Sequence, residues 1–186
     1  MKWTIGMLPR LKINTGFSLI ELMVALAIGA VIMAVALPSF GTFMANSRMA
    51  ATNNALVYSI QVARSTSMER LTPTGVCVST APTANEPSCA IGESYNQGWI
   101  VYADDNANGS RDNGEDILDR IEPPGPAFAF TPSTVFANQI YFSEEGASIN
   151  VAGVPVSGTI NVDYGDGQQV RLITVSANGR VSTETP

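Results

Sequence analysis

The chain of 186 residues contains no histidine, only two cysteines and few charged side chains. Without histidine, a Ser-His or Cys-His nucleophile cannot be assembled. The paired carboxylates Glu144 and Glu145 stand beside a glycine, which is typical of a loop. We therefore predict that the protein is not an enzyme.

Lysine is absent after Lys12, so that arginine supplies all positive charge in the rest of the chain. The formal net charge is −6, and without the first 16 residues 7 Arg would face 16 Asp and Glu, a charge of −9. Proteins that bind nucleic acids irrespective of sequence depend on clustered cations. The composition therefore argues against such a protein.

A long uncharged segment lies near the N-terminus. From Phe17 to Leu37 all 21 residues are apolar or small except Glu21, and such a run is long enough to cross a hydrocarbon core about 30 Å thick. An ionised Glu in a membrane helix costs roughly 2.5–3.5 kcal/mol, so Glu21 needs a partner or a purpose. The alternative is simple tolerance near the membrane interface, because Glu21 lies barely one turn inside the segment.

The charges ahead of the apolar run are all positive: Lys2, Arg10 and Lys12. Basic residues at this place hold an N-terminus in the cytoplasm. We expect a single pass through the bacterial inner membrane, with the C-terminal domain in the periplasm.

The residues around Glu21, Gly-Phe-Ser-Leu-Ile-Glu-Leu from Gly16 to Leu22, resemble the type III signal of type IV pilins and type II secretion pseudopilins. In a secretory signal the cleavage site follows the apolar region, whereas here the candidate site precedes it. The resemblance implies cleavage after Gly16 by a prepilin peptidase and N-methylation of Phe17. It also implies that Glu21 acts in assembly and that Pro38 occupies the position where many pilins carry a helix-weakening proline.

A physical role for Glu21 is consistent with this resemblance. A buried carboxylate is best compensated by an opposite charge, and the new amino group of Phe17 on a neighbouring subunit is a candidate. Such a contact is heterologous and generates an open helical filament. The predicted partners are therefore other pilins or pseudopilins, the prepilin peptidase and the inner membrane.

The segment after the apolar run has helical periodicity. Apolar and small residues recur at mixed spacings of three, four and seven, and polar residues that include Asn53 fill the remainder. The breaker residues around Pro73 predict the end of the helix. The periodic apolar set is Phe43, Met49, Leu56, Ile60, Ala63 and Met68.

Beyond Gly75, short β-rich runs alternate with Gly, Pro, Asn and Asp, and this pattern is typical of a β domain. The best hairpin joins the candidate strands at 159–164 and 170–176 through the turn Gly165-Asp166-Gly167. The Pro-rich run at 123–126 is interpreted as a rigid loop. Strands are predicted at 76–79, 99–103, 116–121, 140–143, 159–164, 170–176 and 180–182.

These observations predict an α+β protein in which a long N-terminal helix packs on an antiparallel β-sandwich-like domain. The expected segments are a prepilin leader at 1–16, a transmembrane and assembly helix at 17–40, an amphipathic helix at 41–72 and a β-rich periplasmic domain at 73–186.

The soluble domain resembles the GspH/FimT branch of pilin-like proteins. The resemblance rests on 98–102 and 104–109, on 114–118, and on the C-terminal run 173–181. It implies a minor subunit that initiates or caps a pilus or pseudopilus. A type IV pilus and a type II secretion system both remain open as its setting.

The two cysteines, Cys77 and Cys89, follow the predicted membrane segment. In an oxidising periplasm a close and even pair predicts a disulfide. The alternatives are two unpaired thiols or a metal site, although two cysteines without histidine make a poor zinc set.

One loop matches the calcium-binding pattern of oxygen ligands at positions 1, 3, 5, 9 and 12, with glycine at position 6. Its flanks have strand character, and turns also use Asp, Asn and Gly for backbone reasons. A loop without metal is therefore the favoured interpretation, calcium binding is the alternative, and no cofactor is predicted. The candidate ligands are Asp104, Asn106, Asn108, Asp112 and Glu115.

Some FimT-like relatives carry a C-terminal Gly-Arg-x-Arg segment linked to DNA capture. Here Arg180 is kept and Ser182 replaces the second arginine. Arg171 is the other candidate DNA contact, but two cations give weak counterion release, so DNA binding is not expected. A DNA-uptake pilin and a monomeric membrane-tethered domain that binds calcium or sugar are the alternative functions.

Overall fold

The computed structural model describes residues 16–165 and 169–185, except for the side chains of residues 35–39. One long helix is followed by short antiparallel strands. The elements in chain order are α1 (Leu19–Arg70), β1 (Thr74–Val78), β2 (Trp99–Ala103), β3 (Ile117–Ile121), β4 (Phe128–Pro132), β5 (Gln139–Phe142), β6 (Ser148–Ile149), β7 (Gly158–Tyr164), β8 (Gln169–Val175) and β9 (Val181–Glu184), with single 3-10 turns at Tyr95–Gln97 and Thr134–Phe136.

Helix α1 is continuous across Pro38. It ends where Leu71 adopts a positive φ of 51° and Pro73 follows, as the breaker residues predicted. Among the described residues, no helix combines the length and the hydropathy needed to cross a membrane. The chain divides into two compact units after Thr42.

In the second unit, α1 buries one narrow stripe of side chains. From Met49, the buried positions recur at alternating steps of four and three residues. This spacing keeps them on one face of an α-helix. The buried stripe consists of Met49, Asn53, Leu56, Ile60, Ala63 and Ser67, with Ser59 beside it.

Two of the predicted apolar positions lie outside this stripe. Phe43 is 65% exposed and Met68 is 42% exposed. Asn53, which was expected on the polar face, is buried instead. The prediction was wrong here because it was based on which residues are apolar. Burial follows the position on the helix face, whether the residue there is apolar or polar.

The strands form two antiparallel sheets, with the orders β3-β2-β1-β5-β6 and β4-β7-β8-β9. Both sheets and α1 contribute to one core, so the predicted α+β fold with a helix packed on antiparallel sheets is confirmed. The sheet residues of this core are Val76, Val78, Trp99, Val101, Ile140 and Phe142 from the first sheet and Phe128, Phe130, Ile160, Val162, Ile173 and Val175 from the second.

Trp99 connects α1 to the first sheet through hydrogen bonds. Its indole Nε1–H donates to Oγ of Ser59 at 3.0 Å, and the Ser59 hydroxyl donates to Oδ2 of Asp119 at 3.1 Å. The Trp99 side chain is fully buried and stacks edge-on against Phe130 of the second sheet. It is therefore a core residue.

All seven predicted strands are present, with ends displaced by at most two residues. The hairpin of β7 and β8 pairs Gly158 with Val175 and Tyr164 with Gln169, while residues 166–168 of its predicted turn lie outside the described residues. The sequence analysis missed β4 and β6. Strand β4 is an edge strand, which explains how it tolerates Pro132.

Strands β1 and β2 are buried on both faces. Because side chains alternate across a strand, Val76 and Val78 enter the main core, whereas Cys77 points to the opposite face. There it joins a second cluster with Ile100 and Tyr102. Loops, rather than a helix or a further sheet, must cover this second cluster.

Gly75 is required on this outer face. It pairs with Tyr102, and a Cβ at position 75 would collide with the Tyr102 ring. We expect Gly75→Ala to lower the free energy of unfolding by about 1–3 kcal/mol, as overpacked cores do. Thermal unfolding of the full chain in detergent should show a Tm lower by roughly 2–12 °C.

Gly41→Ala is the matched control, because nothing lies within 4 Å of its added Cβ. In a helix this change should be neutral or slightly stabilising. An unchanged Tm for Gly75→Ala would show that the Tyr102 ring is free to move away.

Candidate functional site

The N-terminal candidate site is at the start of α1. Ser18 precedes the first helical residue, and its Oγ accepts the Glu21 backbone N–H at 3.3 Å. In return, Oε2 of Glu21 accepts the Ser18 backbone N–H at 3.4 Å. This reciprocal pair is a capping box, which satisfies two amide donors that a helix start otherwise leaves open.

The capping box decides where the Glu21 carboxylate lies. It is turned back along the helix to the Ser18 amide, one residue from Phe17. Gly16 and Phe17 are exposed, with Phe17 at 84%, so the predicted cleavage point is accessible from solvent. The Glu21 carboxylate therefore contacts the residue that follows Phe17, the residue whose amino group cleavage after Gly16 would free.

The second candidate site lies on the outer face of the first sheet. Cys77 and Cys89 are joined by a disulfide with a Cα–Cα distance of 5.5 Å, which confirms the predicted bridge. Cys77 belongs to β1, whereas Cys89 ends the loop that follows this strand. The bridge therefore holds this loop, residues 79–88, against the second hydrophobic cluster.

Two arginines fix the same loop. Arg111 donates through Nη2 to Oε2 of Glu86 at 2.5 Å, although only 2% of the Arg111 side chain is exposed. Arg120 of β3 donates through Nη1 to the carbonyl oxygens of Pro82 and Ala84. The guanidinium of Arg111 lowers the pKa of Glu86, so this carboxylate stays ionised at neutral pH.

The predicted calcium loop folds around Asp104, which is completely buried. Its Oδ1 accepts the Asn108 backbone N–H at 3.1 Å. Its Oδ2 accepts the Gly109 N–H at 2.6 Å and the Tyr141 hydroxyl. The carboxylate at the first position of the pattern is thus surrounded by donors from the protein itself.

The other carboxylates of the loop are used in the same way. Glu115 accepts the backbone N–H groups of Asp105 and Asp112, one on each oxygen. Burial raises the pKa of Glu115, whereas the side-chain amides of Asn106 and Asn108 lower that of Asp112 by hydrogen bonding to it. The fold brings the residues of the calcium pattern together, but their oxygens accept hydrogen bonds from the loop itself.

No group of three or more His, Cys, Asp and Glu within the described residues is arranged to hold a metal ion. The hydrogen bonds of the loop are those of the favoured interpretation, an Asx-rich loop that is closed by its own donors. Calcium binding stays the untested alternative.

The two candidate DNA contacts are not brought together. Arg171 lies in β8 and donates to the Thr185 hydroxyl, whereas Arg180 precedes β9 and is exposed. Since Val175 pairs with Val181 and Leu172 with Glu184, the two arginines stand at opposite ends of this ladder.

Arg64 of α1 and Arg180 line the same cavity of about 310 Å³. Yet Arg64 is occupied, because its Nε–H donates to the Gly146 carbonyl at 3.0 Å and its Nη2 to the Asn178 carbonyl at 3.1 Å. Gly179 is necessary for this packing: its φ is +76°, and a Cβ there would strike both Arg64 and Gly146.

Sequence reasoning missed three of the residues that shape these sites: Ser18, Arg64 and Arg111. The Ser-x-x-Glu spacing of Ser18 and Glu21 was a local signal for the capping box. Arg64 and Arg111 gave no such signal, because their partners lie 82 and 25 residues away in the chain.

Comparison with known proteins identifies two sequence families. The family model described as "Type II transport protein GspH" matches residues 52–179, more than half of the chain. The model described as "Prokaryotic N-terminal methylation motif" matches residues 11–37, which include Gly16, Phe17 and Glu21. No relative is found among the curated proteins.

Two solved structures are similar, and both are crystal forms of the type IV minor pilin FimU from Pseudomonas aeruginosa strain PAO1. The first is 13% identical, with a TM-score of 0.47 over 77% of this chain and 90% of that chain. The second is 14% identical, with a TM-score of 0.45 over 75% of this chain and 91% of that chain.

The disulfide predicts a measurable stability difference. We expect the double variant Cys77→Ala, Cys89→Ala to lose about 3 kcal/mol, because a loop of this length is no longer closed in the unfolded chain. For a chain of this size the Tm should fall by roughly 6–12 °C.

Chemical reduction of the unmodified protein should reproduce this loss, and Ser88→Ala, at an exposed site beside Cys89, is the control. Peptide mapping without reductant should recover Cys77 and Cys89 in one linked pair. Two freely alkylated thiols in the unfolded, unreduced protein would contradict the bridge.

Proposed function

Since the chain belongs to the family of the type II transport protein GspH, it has the structural role of a minor pilin or pseudopilin, and we propose that it initiates or caps a filament. The observation that carries the proposal is the position of the Glu21 carboxylate, turned back to the start of α1. The site has no catalytic part in this proposal, in keeping with a chain that lacks histidine.

Processing is the first step of the proposed function. A prepilin peptidase cuts after Gly16, removes the basic leader and methylates Phe17. The match of the methylation motif to residues 11–37 and the exposure of Phe17 support this step. The apolar run from Phe17 to Leu37 then stays on the mature chain as a single-pass anchor in the inner membrane, with the β-rich part in the periplasm.

Assembly is the second step. In the membrane an ionised Glu21 is costly, and its capping hydrogen bonds of 3.3 and 3.4 Å are long. The amino group of Phe17 on a neighbouring subunit offers a stronger, charge-assisted partner. Because the amino group of one subunit would contact the carboxylate of the next, the contact is heterologous and repeats as an open helical filament.

Deletion of the gene distinguishes the two kinds of filament in which the protein could be a subunit. Loss of exoprotein secretion indicates a type II secretion pseudopilus, whereas loss of twitching and of displayed pili indicates a type IV pilus. A mutant that keeps all three properties argues against the proposal.

Processing predicts the N-terminus of the mature protein. Mass spectrometry of the N-terminal peptide should show a chain that begins at methylated Phe17. A terminus after Leu37, or an intact Met1 in cells that possess the peptidase, would exclude the proposed processing.

Assembly predicts the behaviour of a Glu21→Ala variant. Membrane insertion should be unharmed, since removal of the charge relieves roughly 2.5–3.5 kcal/mol. Incorporation into sheared filaments should fall about tenfold or more, because the neighbouring amino group loses its partner. Membrane fractionation and immunoblotting of sheared filaments measure the two effects.

The matched control is Glu69→Ala, which removes an exposed carboxylate from the same helix. It should be incorporated like the unmodified protein. Normal incorporation of Glu21→Ala would refute the assembly role while leaving the processing result intact.

A further inference from the structure

Asparagine is followed by glycine at three places in the chain. In such a pair the glycine carries no side chain that would hinder attack of its backbone nitrogen on the carboxamide carbon of the asparagine. The attack closes a five-membered succinimide ring and releases ammonia. Whether it occurs in a folded protein depends on how each pair is held. The three pairs are Asn108-Gly109, Asn113-Gly114 and Asn178-Gly179.

Two of these pairs are held by hydrogen bonds inside the fold. Gly109 is buried, and its N–H donates at 2.6 Å to Asp104, a completely buried carboxylate that also accepts the Tyr141 hydroxyl. Gly179 is buried as well, and its N–H donates at 2.7 Å to the Ser176 carbonyl, which is not a base. Ring closure at either pair would have to break these contacts first, which costs free energy.

The Asn113-Gly114 pair, in contrast, lies in an exposed turn. A hydrogen bond of 3.3 Å from the Glu115 N–H to the Asp112 carbonyl closes the turn, and both residues of the pair are exposed. Gly114 has a φ of +96°, and nothing lies within 4 Å of the position that its Cβ would take. The backbone here has room to move toward the asparagine side chain, and water can reach the product.

Two charged side chains contact the reacting groups of this pair. Nη1 of Arg111 donates at 3.0 Å to Oδ1 of Asn113, which stabilises the negative charge that develops on this oxygen during the attack. The Arg111 guanidinium, and also a hydrogen bond from the Gly114 backbone N–H, lower the pKa of Glu86, so that its carboxylate is ionised at neutral pH. The nucleophilic N–H therefore donates to an ionised carboxylate.

The same two side chains contact each other, with 2.5 Å between Nη2 of Arg111 and Oε2 of Glu86. This contact fixes the carboxylate and the guanidinium in one arrangement around the exposed pair. The two buried pairs have no such arrangement, because their carboxamide oxygens accept backbone N–H groups and a serine hydroxyl rather than a cationic side chain.

We propose that Asn113 is a site of spontaneous conversion to aspartate and isoaspartate, promoted by Glu86 and Arg111. The Gly114 nitrogen forms a bond to the side-chain carbon of Asn113 while its proton passes to Glu86. The bond from that carbon to Nδ2 then breaks, and Nδ2 takes the proton from Glu86 and leaves as ammonia. One water molecule opens the ring at either carbonyl, so no oxidant or reductant is needed.

Either product places a second carboxylate beside Arg111. This carboxylate competes with Glu86 for the guanidinium, and Glu86 belongs to the disulfide loop, residues 79–88. The reaction therefore changes the charge on this face of the domain without an enzyme. The site lies wholly in the second compact unit, so it does not depend on Glu21 or on the proposed filament contact.

The test follows the three pairs in the full chain, kept folded in detergent at neutral pH. Because no lysine follows Lys12, trypsin separates the pairs into the peptides 71–111, 112–120 and 172–180. Mass spectrometry should show that Asn113 is converted about tenfold faster than Asn108 or Asn178, the factor that corresponds to one hydrogen bond. Isoaspartate should be present besides aspartate, because the ring opens at both carbonyls.

Glu86→Gln is the informative variant, because glutamine keeps an oxygen that accepts from Arg111 and Gly114 but is not a base. Conversion of Asn113 should become about tenfold slower or more. If Glu86 only restrained the turn, its loss would make conversion faster instead. The matched control is Glu144→Gln, which removes an exposed carboxylate elsewhere and should leave all three rates unchanged.

Unfolding in denaturant provides the reference. The three pairs should then react at similar rates, and Asn113 should react more slowly than in the folded chain. The proposal is overturned by equal rates at the three pairs in the folded chain, by faster conversion of Asn113 after unfolding, by aspartate without isoaspartate, or by an unchanged or faster rate in Glu86→Gln. Should Glu86→Gln fail to fold, the rates of the unmodified chain still decide.

Discussion

The burial of β1 and β2 on both faces is the constraint on which the rest of the second unit depends. One face is covered by the narrow stripe of α1, through contacts that include the Trp99–Ser59 hydrogen bond. The other face carries Cys77 and Tyr102 and has only loops to cover it. Loops lack a hydrogen-bond ladder of their own, so they are held by local ties: the disulfide, the Glu86–Arg111 pair and the carbonyl contacts of Arg120.

In this arrangement the Asp/Asn-rich loop has a structural role. Asp104 is buried beneath the loop and accepts the backbone N–H groups of Asn108 and Gly109, so it satisfies donors of a tight turn. The loop then presents Arg111 to Glu86 in the disulfide loop. The sequence pattern of calcium sites therefore also fits a loop that covers a sheet and uses its own carboxylates to accept hydrogen bonds from its backbone N–H groups.

The features that could be predicted from the sequence are those with a local sequence pattern. Helical spacing, β-rich runs and the cleavage motif gave the long helix, seven of the strands and the family. Strand β4 was missed although Phe128 and Phe130 alternate with exposed residues, because the Pro-rich run just before it indicated a loop. The buried Asn53 and the pairing of Arg111 with Glu86 depend on tertiary contacts, which no local pattern encodes.

Glu21 and Arg111 show two ways in which a fold treats a charge beside apolar surface. The Arg111 side chain is almost fully buried, and its guanidinium donates to Glu86 and Asn113. The Glu21 carboxylate is exposed and makes one long hydrogen bond to a backbone amide. A weak, exposed contact is readily exchanged for a stronger one, whereas the contacts of a buried guanidinium are not. In the proposed assembly the Glu21 carboxylate can therefore change partners, whereas Arg111 keeps its contacts within the fold.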